Sequence, residues 1–111
     1  MSRRRSAGLA GAAPVFAALG DETRLRLVAS LCAEGPLSIV HLSARAPVTR
    51  QAVTKHLHAL AAAGLVRGKR RGRQRIWELE PRRLQEARRY LDRISEQWDD
   101  ALGRLRAFVE R

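Results

Sequence analysis

The chain has 111 residues, with 22 Lys and Arg against 11 Asp and Glu, a formal net charge of +11. That length suits one domain, and an apolar share of 45% with only 5% aromatics fits a helical core of Leu and Ala rather than a disordered basic tail. The charge excess calls for a polyanionic partner, nucleic acid or an anionic membrane surface. No segment approaches the ~18 continuous apolar residues of a membrane span, and Cys32, the single cysteine, rules out an intrachain disulfide and points to a reducing, cytoplasmic compartment.

The opening MSRRRSAGLAGAAPVFAALG superficially resembles a secretory signal, but its apolar part is Ala and Gly broken by Pro14. The expectation is a basic, flexible arm over residues 1–13 leading into a short helix at Pro14–Leu19. Gly20 ends that helix and Asp21 caps the next. Leu25, Val28, Leu31 and Cys32 then form the expected inward stripe until Gly35-Pro36, which makes Cys32 a buried, inert thiol, with a redox sensor as the alternative. Ser38 is the N-cap of a short helix through about Ala44, with Ile39 and Leu42 inward, and Ala46-Pro47 breaks it because Pro disfavours helix in the residue before it.

Thr49 caps a further helix over about 50–63. Gly64 stands at its C′ position and Leu65 at C″, opposite Leu60, the pattern of a Schellman ending. Two helices separated by a tight break define a helix-turn-helix over about 38–63. Within AVTKHLHAL, Val53, Leu57 and Leu60 share one face, while Gln51, Thr54, Lys55 and His58 share the other. That outer face carries hydrogen-bonding groups and positive charge only. His56 lies beside the apolar face, where packing and hydrogen bonding are its expected role.

Residues 65–79, LVRGKRRGRQRIWEL, carry β-branched and aromatic residues at both ends and Arg71-Gly72 in the middle, which predicts a β-hairpin. Between Gly35 and Trp77 there is no Asp or Glu, against nine Lys and Arg, and six of the nine lie on the hairpin. A solvated face would mix signs, so this segment reads as a nucleic-acid surface. A major groove admits one α-helix and displays donors and acceptors on base edges. Gln51 and Thr54 suit base edges or phosphates, and Thr49, Arg50, Lys55 and His58 add further polar contacts. Lys69, Arg70, Arg71, Arg73 and Arg75 suit the neighbouring phosphates or a minor groove.

Pro81 starts a final helix, about 82–111. Leu84, Ala87, Leu91, Ile94, Trp98, Ala101, Leu105 and Phe108 alternate steps of three and four, a heptad-like stripe with Leu102 beside it. A helix of this length outruns the small domain before it, so the stripe predicts a homodimer seam, joined by Val15, Phe16 and Leu19. Trp98 and Tyr90 could instead line an effector pocket, with core or dimer packing the simpler role.

LGDETRLRLVASL (19–31), LSIVHLS (37–43), TRQAVTKHLHALAAAGLV (49–66) and RRGRQRIWEL (70–79) together resemble the ArsR/SmtB family of bacterial winged-helix transcription regulators. The resemblance spans about residues 15–110. It implies a mainly α fold with one hairpin in the order α-α-α-α-β-β-α, a homodimer joined through its first and last helices, and a repressor of double-stranded DNA sites. By the same resemblance Arg50, Gln51, Thr54, Lys55 and His58 are recognition-helix contacts, and Arg71 and Arg73 lie at the wing tip. Three features depart from the family. Ser38 and Val40 stand where many members place metal-binding cysteines, the last helix has no His for a second metal site, and Pro47 stands where the turn usually has Gly. No metal or cofactor is therefore expected, and an effector is left open; with no apolar span, no membrane partner is expected either.

Two other readings differ in class. A non-specific architectural or RNA-associated basic protein explains the charge but leaves the outward Gln51 and Thr54 unaccounted for. An enzyme would need a nucleophile–His–carboxylate pattern, a Gly-rich phosphate loop or a spaced metal cluster, and the chain has none of these.

Overall fold

The structure is a computed structural model that describes the backbone of residues 2–110 and the side chains of residues 11–110. Five helices and three strands follow in the order α1 (Ser2–Leu19), α2 (Glu22–Glu34), β1 (Leu37–Ser38), α3 (Ile39–Arg45), α4 (Arg50–Ala62), β2 (Val66–Arg71), β3 (Gln74–Leu79) and α5 (Pro81–Val109). The strands form one antiparallel sheet in the order β1-β3-β2. Among the described residues no helix is long and apolar enough to cross a membrane.

The helix starts are set by side-chain caps. Asp21 accepts from the Arg24 N–H at 3.0 Å, Ser38 from His41 N–H at 3.1 Å and Thr49 from Ala52 N–H at 3.1 Å. Each satisfies one of the N–H groups that a helix leaves unpaired in its first turn. Pro81 opens α5 at a position where its missing N–H costs nothing. The end of α4 follows the expected Schellman pattern. Leu65 N–H bonds the Leu60 carbonyl at 3.0 Å, Gly64 N–H bonds Ala61 at 2.9 Å, and Gly64 has φ 78.

Val15, Ala18, Leu27, Val28, Leu31, Leu42, Val53, Leu57, Leu60, Leu65, Val66, Trp77 and Ala87 form one core cluster drawn from every helix and from β2 and β3. Val53, Leu57, Leu60 and Leu65 are each 0% exposed, so α4 and the start of β2 are its centre. The turn between α3 and α4 runs through Pro47 with extended backbone at Ala46 and Thr49 and no residue of positive φ. Pro47 is therefore compatible with a helix-turn-helix that does without the left-handed turn residue.

Four features differ from the sequence reading. The first helix begins at Ser2, not near Pro14. Alanine, the strongest helix former, holds six of the twelve positions from 7 to 18, and α1 packs along α5, which offsets the backbone bond lost at Pro14. On α2 the buried stripe is Leu27, Val28 and Leu31, while Leu25 is 50% exposed and Cys32 is exposed. The core touches one flank of α2 only, and Leu25 and Cys32, seven residues apart, share the other. The two-residue β1 carries too little periodicity to be read from sequence; it is fixed by pairing Leu37 with Trp77 and Ser38 with Ile76. Val15, expected at a dimer seam, is 1% exposed within the protomer, and Ala87 of the α5 stripe is also buried there.

Gly64 combines positive φ with crowding, because a Cβ there would stand 2.8 Å from Arg83 Cγ. Gly64→Ala is expected to lose about 1–2 kcal/mol in urea unfolding, the usual cost of a left-handed non-glycine residue; an unchanged midpoint would show that the helix end relaxes freely.

Candidate nucleic-acid interface

Burial of Val53, Leu57 and Leu60 forces the opposite side of α4 outward. Arg50, Gln51, Thr54 and Lys55 line one shallow concavity on that side, as the periodicity predicts. The Thr54 hydroxyl donates to the Arg50 carbonyl at 2.9 Å. Toward a ligand Thr54 therefore presents an acceptor oxygen and a methyl group, with its donor already engaged. Thr49 is exposed at the helix start, with its hydroxyl holding the cap. His56 turns the other way, half-buried, and its Nδ1 accepts from Arg24 Nε at 3.1 Å with an Asp21 carboxylate oxygen at 3.9 Å. This contact ties α4 to the start of α2. The cap bond from the Arg24 N–H, followed by the nearby His56 and Arg24, holds the Asp21 carboxyl below the usual carboxylate range.

A second cluster joins α2 to α3. Arg45 pairs with Glu34, and His41 Nε2 lies 3.5 Å from the same carboxylate. The Arg45 hydrogen bond is the main cause of a lowered Glu34 pKa. The helix-turn-helix is thus braced against α2 at both ends by charged contacts that lie off its outer face.

The hairpin is closed by Gly72 and Arg73, of which only Gly72 has positive φ, at 63, as in a type II′ turn. The register pairs Arg67 with Glu78, Lys69 with Ile76, Gly68 with Trp77, Arg70 with Arg75 and Arg71 with Gln74. Directly opposed residues share a face, so this register sorts the charges. On one face Arg67 pairs with Glu78 at 2.7 Å and Glu80 at 3.2 Å, and Lys69 with Glu78 at 2.9 Å. Lys69, expected to contact DNA, is therefore engaged by a carboxylate that lies one residue beyond the acid-free segment. Those two hydrogen bonds, Lys69 first, lower the Glu78 pKa, and Glu78 in turn raises that of Arg67. On the other face Arg70 and Arg75 oppose each other with no carboxylate between them. Such a like-charge pair is unfavourable by itself and fits a surface made to meet an anion. Arg71 and Arg73 are exposed at the tip, as expected.

The sequence gives no warning of two supporting residues. Trp77, 2% exposed, meets the His58 ring edge-on at 5.7 Å and carries the Arg75 guanidinium 5.2 Å from its centroid. Gly68 leaves the room in which Arg75 lies. The apolar residues of the late α5 stripe occupy a separate surface. Leu91, Trp98, Leu102, Leu105 and Phe108 are between 49% and 71% exposed, while Phe16, Leu19, Leu84 and Ile94 are half-buried where α1 meets α5.

A metal does not fit the positions at which the resemblance would put one. The Ser38 oxygen is engaged in capping α3 and Val40 has no donor atom, and among the described residues no three His, Cys, Asp or Glu cluster as ligands would.

Five helices around a small sheet, with α4 capped and its outer face exposed and a basic hairpin beside it, define a winged helix-turn-helix. A family described as "Helix-turn-helix domain" matches residues 19–69. The HTH-type transcriptional regulator Rv2034 of Mycobacterium tuberculosis is 41% identical over 85 residues, covering 77% of this chain and 76% of that protein. An ArsR-like transcriptional regulator from Rhodococcus sp. RHA1 superposes with a TM-score of 0.75 at 39% identity, covering 90% of this chain and 93% of the other. A Mycobacterium bovis domain described as a homodimeric winged helix-turn-helix DNA-binding domain shares the fold, with a TM-score of 0.66 at 24% identity, 92% of this chain and 91% of the other. The chain belongs to the ArsR-type winged helix-turn-helix family of transcription regulators.

Glu78 is the test of charge sorting. Glu78→Gln releases Lys69 and leaves Arg67 with Glu80 alone, so affinity for any duplex is expected to rise and to depend more steeply on salt. Because the folded-state pKa of Glu78 is depressed, its stabilising effect is complete above the unfolded pKa and disappears as pH falls through the folded one. Between about pH 5 and pH 3 the parent protein should lose more stability than the Gln variant in parallel urea titrations.

Proposed function

We propose that the chain is a homodimeric, sequence-specific repressor that binds a near-palindromic operator. In this reading α4 enters the major groove, Gln51 and the Thr54 oxygen and methyl meet base edges, and Arg50, Lys55 and His58 add charge and donors. The wing, through Arg70, Arg71, Arg73 and Arg75, follows the adjacent backbone or minor groove. Lys69 is secondary because Glu78 already holds it. The observation that carries the reading is the pairing of a fully buried α4 inner face with an outer face that bears polar and cationic groups and no carboxylate.

The dimer part rests on α5. The radius of gyration is 18.2 Å, against roughly 13 Å for a compact chain of this size, because α5, 29 residues and ~43 Å long, runs past the core. Five large apolar side chains on its distal half are about half to three-quarters exposed. Covering them in both protomers gives on the order of 10 kcal/mol at the usual burial coefficient, within the range needed to overcome an association cost of about 4–15 kcal/mol. The Mycobacterium bovis domain of the same fold is described as homodimeric, which supports dimerisation as such. Two-fold symmetry then sets two α4 helices about one DNA turn, ~34 Å, apart. Repression is inferred from the family resemblance.

The test is fluorescence-anisotropy binding to DNA upstream of the chain's own gene and to a scrambled duplex of equal length, over a salt series. Binding at least ~10³-fold tighter to the upstream DNA is expected of a specific site; coincident curves there and on sequences recovered by random selection would favour a non-specific architectural protein. Trp98→Glu is expected to give a monomer by sedimentation and to weaken operator binding by more than tenfold, since one half-site loses its tethered partner.

A further inference from the structure

The groove between α4 and the wing is lined by Ile39, Arg50, Thr54, His58, Arg75 and Trp77. No carboxylate lines it. The Arg75 guanidinium lies over the Trp77 ring at 5.2 Å, and His58 meets the same ring at 5.7 Å with the planes 88° apart. Trp77 is itself fixed in the core, so it holds one cation from the wing and one imidazole from α4 in a constant relation. Among the described residues no ion pair engages Arg75, in contrast to Arg67 and Lys69 on the opposite face of the hairpin.

Gly68 makes this arrangement possible. It pairs with Trp77 across the sheet and does not have positive φ, so the backbone does not require glycine here. Space does. A Cβ at Gly68 would lie 3.0 Å from Arg75 Nε, 3.3 Å from Nη2 and 3.3 Å from Trp77 Cη2. A methyl group there would push the guanidinium, the flexible partner, by a few tenths of an ångström, and a branched side chain would displace it from the ring.

A helix in the major groove and a wing in the neighbouring minor groove are separated by one strand of sugar–phosphate backbone. Whatever lies between helix and wing faces that backbone. From these observations we propose that Arg50, His58 and Arg75 form a clamp for a single DNA phosphodiester, with Trp77 as its floor and Gly68 as the positioning residue that lets Arg75 reach it. The inference rests on the DNA-binding reading and refines it. Arg75 and His58 set register on the backbone, and base readout is left to Gln51 and Thr54. A guanidinium held in advance loses less side-chain freedom on binding than one recruited from solvent.

The experiment measures affinity against salt concentration for one fixed mixed-sequence duplex, using the full-length protein and three variants. Arg75→Ala should reduce the slope of log K against log salt by about 0.9 per protomer, one phosphate contact. Gly68→Val keeps every charge and fills the space of the guanidinium, so it should lose most of the same slope while its far-ultraviolet circular dichroism matches that of the parent. Arg89→Ala removes one charge from the exposed side of α5 and should leave the slope near the parental value. The clamp is overturned if Gly68→Val binds with the parental slope and affinity, or if Arg75→Ala and Arg89→Ala behave alike. If the parent protein fails to bind the duplex even at low salt, the DNA-binding reading fails, and this inference with it.

Discussion

The burial of Val53, Leu57 and Leu60 under α1, α2 and the sheet is the constraint on which the rest of the molecule depends. Those three side chains, all 0% exposed, fix the rotation of α4 about its axis. Rotation fixed, Gln51, Thr54 and Lys55 have one direction left to face. The Schellman ending at Gly64 carries the same constraint forward, because the Leu65 N–H that closes α4 belongs to the residue whose side chain enters the core ahead of β2. Helix and wing are therefore set relative to each other by one continuous apolar contact, with no flexible joint between them.

Electrostatics is arranged on top of that frame and is more selective than the net charge suggests. Of the six basic residues on the hairpin, Arg67 and Lys69 are neutralised by Glu78 and Glu80. Arg70 and Arg75 are left facing each other on the side toward α4, with Arg71 and Arg73 at the tip. The carboxylates that brace the helix-turn-helix, Asp21 and Glu34, engage Arg24, His56, His41 and Arg45 away from the outer face. The result is an uncompensated positive surface along the outer face of α4 and the adjoining face and tip of the wing. Long-range attraction of a polyanion depends on that placement, since exposed charges paired within a few ångströms contribute little field at a Debye length.

The parts of this structure that were legible in the sequence are those governed by local chemistry. Asp21, Ser38, Thr49, Gly64 and Pro81 announce their roles through the backbone groups they satisfy or omit, and α4 shows both its faces because its apolar period is unbroken. The reading fails where distant contacts decide. Leu25 and Cys32 have the right spacing to be inward but lie on the flank of α2 that the core does not reach. Val15 looks like a seam residue by proximity to Phe16 and Leu19, yet points into the protomer. Lys69 cannot be separated from Arg70 without the hairpin register, which depends on a two-residue turn at Gly72 that the sequence leaves ambiguous. Gly68 and Trp77 look like an ordinary glycine and an ordinary core aromatic until pairing sets them opposite each other.

The central claim is that the outer face of α4 reads base sequence, and the most direct measurement is random-sequence selection with the parent protein beside Gln51→Ala and Thr54→Ala. The account predicts two half-sites about one helical turn apart for the parent, with preference relaxed at particular base pairs in each variant by about 1–3 kcal/mol per lost contact. Identical recovered sequences for all three proteins, at equal affinity, would contradict it.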